Sequence, residues 1–186
     1  YFFFTAHKAG GVTTSHLRFG PQPITSTYPI SDADYVAVHH PAYISKYPLA
    51  DQLKDGGSFV VNCAWGSDAA ALGPHLPAAL KRELARRHAR VHVIDAYKIS
   101  REAGLGGHIN GVMQSVFFAL SGVMPVDKAI ALYKESVKKA YSKKGQAVVD
   151  KNLSAIDHAL AGLAEVAYPA AEWAAATDEP APVPAG

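Results

Sequence analysis

The strongest constraint on the fold is the alternation of short apolar runs with helical segments. Strands are predicted at Asp34–His40, in the second half of Gly56–Asn62, and at Val91–Asp95. A helix is predicted over Pro77–His88, because proline stands at its start and basic residues at its end. Since strands that alternate with helices form a sheet covered by helices, the sequence predicts an α/β fold.

The remaining segments extend this alternation in both directions. Two strands, a shorter extended piece and a weak helical stretch are predicted in the first third of the chain: Tyr1–Ala6, Val12–Phe19, Ile24–Tyr28 and the residues after Pro41. Four helices are predicted after the last strand: Ala96–Ala103, Gly111–Gly122, Pro125–Lys144 and Gln146–Ala164. We therefore expect a layered mixed or parallel sheet with flanking helices and a helical C-terminal part.

A change in composition divides the chain near Tyr168. Residues 1–168 form one predicted domain. Residues 169–186 are rich in alanine and proline and have no periodicity, so they are predicted to link this domain to a following one. The start, Tyr1–Ala6, has no initiator methionine and has the composition of the middle of a strand. We therefore expect the sequence to be a piece of a longer polypeptide.

Charge and cysteine content exclude several classes of protein. A formal net charge of +2 over 186 residues, with the basic residues spread out, argues against a nucleic-acid or membrane partner. No apolar run approaches the length needed to span a bilayer. The single cysteine, Cys63, excludes an internal disulfide and a cysteine-ligated cluster within this chain, and it is predicted to be a small buried apolar residue. The composition suits a reducing compartment, and we expect the cytoplasm.

The glycine-rich segment Gly104–Asn110 lies between two predicted helices. A dinucleotide-binding fingerprint would instead follow a strand, so we do not interpret this segment as one. Two interpretations stay open on spacing alone. The segment is either a tight turn between helices, with Asn110 as a helix cap, or a loop whose backbone N–H groups meet a phosphate or a polar ligand edge.

Two histidine-containing pairs do not form a recognisable catalytic or metal site. His39 and His40 are adjacent on a predicted strand and point to opposite faces, so they are poorly placed to chelate one metal ion. Ser15 and His16 are adjacent in the same way, and no third residue completes a nucleophilic triad. We therefore predict neither a metal site nor a hydrolase.

The stretch His7–Pro21 carries more polar side chains than a structural turn requires. Gly10 and Gly11 suffice for a turn, but Lys8 and Arg18 flank them, and three hydroxyl residues follow. The two cations are either solvated charges or anchors for a phosphate group. The hydroxyl residues either contact a ligand or pack between domains, and the sequence does not separate these alternatives.

Three longer segments carry a resemblance to a known family. They read GGVTTSHLRFGP at Gly10–Pro21, VIDAYKISREAGLGGHINGVMQSVFFALSGVMP at Val93–Pro125, and DKNLSAIDHAL at Asp150–Leu160. Together they resemble the gamma domain of pyruvate:ferredoxin (flavodoxin) oxidoreductase. The resemblance runs in order from about Tyr1 to Ala167, without large gaps.

The resemblance implies an activity for the full enzyme. Such an enzyme oxidatively decarboxylates pyruvate with coenzyme A and gives acetyl-CoA, carbon dioxide and reduced ferredoxin or flavodoxin. Thiamine diphosphate and 4Fe-4S clusters are implied in other domains of the same polypeptide, and the full enzyme is expected to be a homodimer. The gamma domain is implied to help bind coenzyme A and to be inactive alone. An N-terminal strand and a glycine-rich loop that contribute to this site are implied upstream of residue 1.

The resemblance also implies four site residues. Asn110 and Asn152 correspond to asparagines that contact coenzyme A, and amide groups suit the mixed donors and acceptors of adenine or pantetheine. His7 stands where the family has a phosphate-contacting lysine, so either His7 or the neighbouring Lys8 is expected to make this contact. One alternative stays in competition, a scaffold that packs between domains without touching a ligand. A free-standing nucleotide-binding regulator does not fit the expectation that the sequence is a piece of a longer polypeptide.

Overall fold

The structure, a computed structural model, describes residues 2–9, 12–20, 22–25 and 28–178. The described strands are β1 (Phe2–Ala9), β2 (Val12–Phe19), β3 (Ala33–Val38), β4 (Leu53–Asn62), β5 (Arg90–Ile94) and β6 (Ala164–Glu165). The α-helices are α1 (Ala69–Leu72), α2 (Ala78–Arg86), α3 (Ala96–Glu102), α4 (Asn110–Leu120), α5 (Val126–Tyr141), α6 (Gln146–Gly162) and α7 (Ala170–Ala174). Short 3-10 turns lie at Pro41–Tyr43, Gly73–His75 and Ser142–Lys144.

A four-stranded sheet organises the main body of the chain. Its strand order is β3-β4-β5-β6, with β3, β4 and β5 parallel and β6 antiparallel to β5. Val61 of β4 pairs with Val38 on one side and Val93 on the other. The predicted α/β fold with a mixed sheet is confirmed, and four of the helices predicted from the sequence are present as α3 to α6.

Strand β4 is buried on both faces. Phe59 and Val61 pack into an apolar cluster with the residues of α2 and α7, whereas Val60 packs into a second cluster with α3, α4 and α6. All three side chains have no exposed surface. Because neighbouring residues of a strand point to opposite faces, a continuous apolar run of this kind requires a helical layer on each side.

A two-stranded hairpin forms a separate sheet. β1 and β2 pair antiparallel in continuous register, from Phe2 opposite Phe19 to Ala9 opposite Val12. Both predicted strands are therefore confirmed, although the turn predicted at Gly10 and Gly11 lies outside the described residues. The ring of Phe19 lies 5.6 Å from that of Phe117 on α4, which connects the hairpin to the main body.

An arginine holds the loop before β4 against α2. Arg87 donates hydrogen bonds to the carbonyl of Leu53 and, over 2.7 Å, to that of Asp51. Glu83 accepts hydrogen bonds from Arg86, over 2.9 Å, and from Arg87. These hydrogen bonds lower the pKa of Glu83 to about 2. The predicted weak helix after Pro41 is only a 3-10 turn here, and residues 22–25 form no strand.

The depressed pKa makes a pH-dependent contribution of Glu83 to stability. A folded-state pKa below the unfolded value of 4.5 stabilises the fold above that pH, and this stabilisation is lost as the pH falls towards 2. We expect Glu83→Gln to lower the free energy of unfolding by about 1–3 kcal/mol at pH 7. Urea unfolding at several pH values checks this. The difference from the unsubstituted chain should shrink below pH 4, and a constant difference would contradict the assignment.

The C-terminal part contains two elements that the sequence did not predict, β6 and α7. α6 ends at Gly162, and Ala164–Glu165 pairs with β5 instead of continuing the helix. Trp173 of α7 is 5% exposed and stacks on Tyr168 at 4.5 Å between ring centres. The Tyr168 hydroxyl donates to the carbonyl of Ala89 over 2.9 Å. Residues 170–174 are thus packed on the main body, and a connector in residues 169–186 stays a prediction.

The buried indole of Trp173 makes α7 part of the stable core. We expect Trp173→Ala to lower the free energy of unfolding by about 3–5 kcal/mol, because the substitution leaves a cavity beside Tyr168. The neighbouring exposed residue Glu172 offers a matched control, and Glu172→Ala should change stability by no more than about 0.5 kcal/mol. Chemical unfolding of the three chains measures both effects. Equal stability of the two variants would show that α7 does not contribute to the core.

Candidate functional site

The carboxyl ends of the parallel strands are tied together by one buried amide. Asn62, 1% exposed, donates to the carbonyl of His39 over 2.9 Å and accepts from the backbone N–H of Ala96 over 2.9 Å. Open α/β sheets commonly bind ligands at this edge. Here the Asn62 side chain holds the loop after β3 and the start of α3 in place, so we assign it a structural role.

The other polar residues at this edge do not form a reactive site. His39 and His40 follow β3 and are exposed, and Nδ1 of His40 accepts a hydrogen bond from the backbone of Ala42 over 3.2 Å. Cys63 is buried, as predicted, and burial raises the pKa of its thiol. Among the described residues, no group of three or more histidine, cysteine, aspartate or glutamate side chains could hold a metal ion.

Two polar residues of β2, His16 and Arg18, make contacts within the fold. His16 is 7% exposed, and its Nδ1 accepts a hydrogen bond from the backbone N–H of Ile30 over 3.2 Å. Arg18 donates to the carbonyl of Pro29 over 3.3 Å, and its guanidinium lies 5.4 Å from the ring centre of Tyr28. These contacts attach the hairpin to the segment before β3. The three hydroxyl residues, at positions 13–15, are exposed, and both interpretations of them stay open.

His7 and Lys8 lie on β1. Their backbones pair with those of Thr14 and Thr13 on β2, next to the Ala9–Val12 pair that ends the described register. Their side chains lie outside the described part of the structure, as do Gly10 and Gly11. The structure therefore gives these two residues a strand and a register but no contacts.

The glycine-rich loop is anchored by a buried serine of α3. Ser100 has no exposed surface, its hydroxyl donates to the carbonyl of His108 over 3.1 Å, and its carbonyl accepts from the N–H of Leu105 over 2.9 Å. Gly104 and Gly106 have φ angles of +71° and +67°, which other residues adopt only with strain. The loop therefore has a defined conformation between α3 and α4, as the sequence predicts.

Asn110 begins α4 and is exposed. The N-cap position is occupied by Ile109, which makes no side-chain hydrogen bond, so the interpretation of Asn110 as a cap is wrong. The first N–H groups of α4 have no helical partner, and no described side chain caps them. The Asn110 amide makes no hydrogen bond within the described part of the chain, which leaves its donors and its acceptor available.

Asn152 lies in the first half of α6 and is partly buried. Its Nδ2 donates to the carbonyl of Val148, one turn earlier, over 2.8 Å. This bond orients the amide against its own helix and uses one of its two N–H groups. The Oδ1 atom and the second N–H have no hydrogen-bond partner among the described residues.

Helix α6 brings the neighbour of Asn152 onto the glycine-rich loop. A Cβ atom at Gly104 would lie 3.2 Å from Cε and 3.4 Å from Nζ of Lys151. Lys151 precedes Asn152 in α6, and the loop that contains Gly104 leads to Asn110. The structure thus brings α6, which carries Asn152, into contact with the loop that leads to Asn110. Lys151 has no counterpart in the sequence analysis, because only the fold shows its contact with Gly104.

Among the residues that the structure describes, no helix is both long enough and apolar enough to cross a lipid bilayer.

Three glycines of the loop differ in backbone conformation, so their alanine variants test the loop that the structure describes. We expect Gly104→Ala and Gly106→Ala each to lower the free energy of unfolding by about 1–2 kcal/mol, because both positions have positive φ. Gly107 has no positive φ and has open space around it, so Gly107→Ala should have little effect or a small stabilising one. Thermal and urea unfolding compare the three. A large loss at Gly107 would contradict the described loop.

Comparison with known proteins identifies relatives of the whole chain. A sequence profile described as "Pyruvate ferredoxin/flavodoxin oxidoreductase" matches residues 1–162. A Cryptosporidium parvum protein named pyruvate dehydrogenase (NADP(+)) is 47% identical over 173 residues, which cover 93% of this chain and 9% of that protein. The pyruvate:ferredoxin oxidoreductase of Moorella thermoacetica is 46% identical over 181 residues, which cover 97% of this chain and 15% of that protein.

A solved structure shares the fold. The crystal structure of the pyruvate oxidoreductase subunit PORC from Thermotoga maritima superposes with a TM-score of 0.62, covering 88% of this chain and 79% of that chain. Its sequence identity is 16%, so this likeness concerns the fold alone.

Proposed function

This chain belongs to the pyruvate ferredoxin/flavodoxin oxidoreductase family, and we propose that it is the coenzyme A-binding gamma domain of such an enzyme. The chain spans only 9% and 15% of the two relatives described above, so the activity concerns the longer protein to which this domain would belong. The observation that supports the proposal is the contact of α6, which carries Asn152, with the loop that leads to Asn110.

The proposed reaction of the full enzyme is the coenzyme A-dependent oxidative decarboxylation of pyruvate, with ferredoxin or flavodoxin as electron acceptor. Thiamine diphosphate and 4Fe-4S clusters would supply bond cleavage and electron transfer from other domains. The single, buried Cys63 does not fit a cluster that requires four thiolates, so we assign no step of that chemistry to this chain. This domain would bind and orient coenzyme A and would be inactive alone.

The two asparagines are suited to the polar edges of coenzyme A. Asn110 has both donors and its acceptor available at the start of α4, and Asn152 offers Oδ1 and one N–H. Lys8 and His7, which lie on β1 of the hairpin, would contact a phosphate group of coenzyme A. The structure gives only their backbone positions, so experiment has to test this contact. An upstream strand and glycine-rich loop, as the family resemblance implies, would complete the site.

The remaining elements of the proposal concern partners and location. We propose that residues 1–168 contact other domains of the same polypeptide, that residues 169–186 lead into a following domain, and that the full enzyme is a cytoplasmic homodimer. Neither nucleic acid nor a membrane is a proposed partner, because the net charge is only +2.

One observation favours the competing scaffold role. Asn152 already donates to its own helix, and His16 and Arg18 contact the segment before β3, so several polar residues serve packing. In a domain that only holds its neighbours together, polar side chains would form such packing contacts and would not bind a ligand. The two roles differ in whether the affinity for coenzyme A depends on Asn110 and Asn152.

Substitution of the two asparagines in the full-length enzyme separates these roles. We expect Asn110→Ala and Asn152→Ala each to raise KM for coenzyme A by about tenfold, because each removes hydrogen bonds worth about 1.4 kcal/mol, with kcat changed less than KM. Gln114→Ala, which removes another exposed amide from α4, is the control and should leave KM unchanged. Unchanged KM values for both asparagine variants would support the scaffold.

The chain alone should bind coenzyme A weakly. Without the preorganised neighbouring domains we expect affinity in the millimolar range or weaker. Titration with coenzyme A, followed by amide chemical shifts, should move the resonances around Lys8, Asn110 and Asn152. Shifts confined to the opposite side, for example around α2, would count against the site.

A further inference from the structure

We propose that Lys151 is a phosphate-binding residue of this domain and contacts a phosphate group of coenzyme A. This inference rests on the proposed function, because it assigns a further ligand contact to the same site. It concerns a residue that neither the sequence motifs nor the four expected contacts include.

The position of the Lys151 side chain is the first argument. Its Cδ, Cε and Nζ atoms lie 3.5, 3.2 and 3.4 Å from the place where a Cβ would stand on Gly104. The outer half of the side chain therefore lies along the loop instead of extending away from α6. Because Gly104 has no side chain, the ammonium group can approach the loop backbone closely.

The charge of Lys151 is the second argument. No described carboxylate lies within 4.0 Å of its Nζ. The preceding carboxylate, Asp150, accepts a hydrogen bond from Gln146 over 2.8 Å. By contrast, Lys134 and Lys138 of α5 pair with Asp157 and Glu135. An ammonium group that is held on a loop without a carboxylate partner is available to an anionic ligand.

The surroundings of Lys151 are the third argument. The next residue is Asn152, and the loop under the ammonium group continues to Asn110. A cation is thus placed at the contact between α6 and the loop, next in sequence to one proposed amide contact and on the loop that leads to the other. Coenzyme A carries negative charge only on its 3′-phosphate and its diphosphate, and a lysine ammonium is a compact charge that suits either group.

Steady-state kinetics of the full-length enzyme test the proposal. We expect Lys151→Gln to raise KM for coenzyme A about tenfold at low ionic strength, and Lys151→Arg, which keeps the charge, to raise it less than threefold. Lys143→Gln, which neutralises another exposed lysine, is the matched control and should leave KM unchanged. If Lys151→Gln behaves like Lys143→Gln, the proposal is overturned.

A coenzyme A analogue identifies the phosphate group. With 3′-dephospho-coenzyme A as substrate, the effect of Lys151→Gln disappears if Lys151 contacts the 3′-phosphate and persists if it contacts the diphosphate. The effect should vanish with pantetheine, which carries no phosphate, and an effect that persists with pantetheine would overturn the proposal.

Two loop variants test the geometry without changing the lysine. Gly104→Ala displaces the end of the Lys151 side chain, whereas Gly106→Ala introduces similar backbone strain with open space around it. We expect a larger rise in KM for Gly104→Ala than for Gly106→Ala. Equal values would contradict the role of the Gly104 contact.

A direct measurement on the lysine is independent of activity. In the full-length protein with its lysines dimethylated by ¹³C-formaldehyde, the methyl resonance that is missing in Lys151→Arg belongs to Lys151. Saturating coenzyme A should shift it and leave the Lys143 resonance in place. If Asn152→Ala weakens binding but Lys151 neither shifts nor affects KM, this inference fails and the proposed function stands. If none of Asn110, Asn152 and Lys151 affects coenzyme A binding, the proposed function itself fails.

Discussion

Burial of β4 on both faces is the constraint on which the rest of the structure depends. Its central residues, Phe59, Val60 and Val61, alternate between two apolar clusters and have no exposed surface. One face therefore requires α2 and α7, and the other requires α3, α4 and α6. The strand ends at Asn62, whose amide fixes the loop after β3 and the start of α3. The glycine-rich loop follows α3, so its position depends on this central strand.

The sequence predicts the elements whose stability is local. β2 has the predicted bounds, and α3 to α6 lie close to theirs, because apolar periodicity and helix-ending residues mark them. Ala164, the first residue of β6, lies within the predicted last helix, because only pairing with β5 stabilises this two-residue strand. Helix α7 has five residues and depends on burial of Trp173. Such contacts between distant segments leave no periodic signal in the sequence.

In the candidate site, too, local features are predictable from the sequence, whereas contacts between distant segments are not. The loop between two helices is predictable from its glycines, but Lys151 meets Gly104 only because α6 packs back across α3 and α4. A cap was one of two interpretations of Asn110 from the sequence; in the structure Asn110 is the first helical residue, and its amide is available. Residue chemistry alone left both asparagines unremarkable, and the resemblance to a family was needed to select them. The structure then shows which atoms of each are already in use.

The docking of α7 also fixes which face of the sheet residues 170–178 cover. Trp173 packs in the cluster that contains Phe59 and Val61, and the carbonyl of Ala176 accepts a hydrogen bond from Arg82 of α2 over 2.5 Å. The glycine-rich loop lies on the other side, with the cluster that contains Val60. The sheet therefore separates residues 170–178 from the glycine-rich loop and its proposed ligand contacts. Any single partner that contacted both would have to extend around an edge of the sheet.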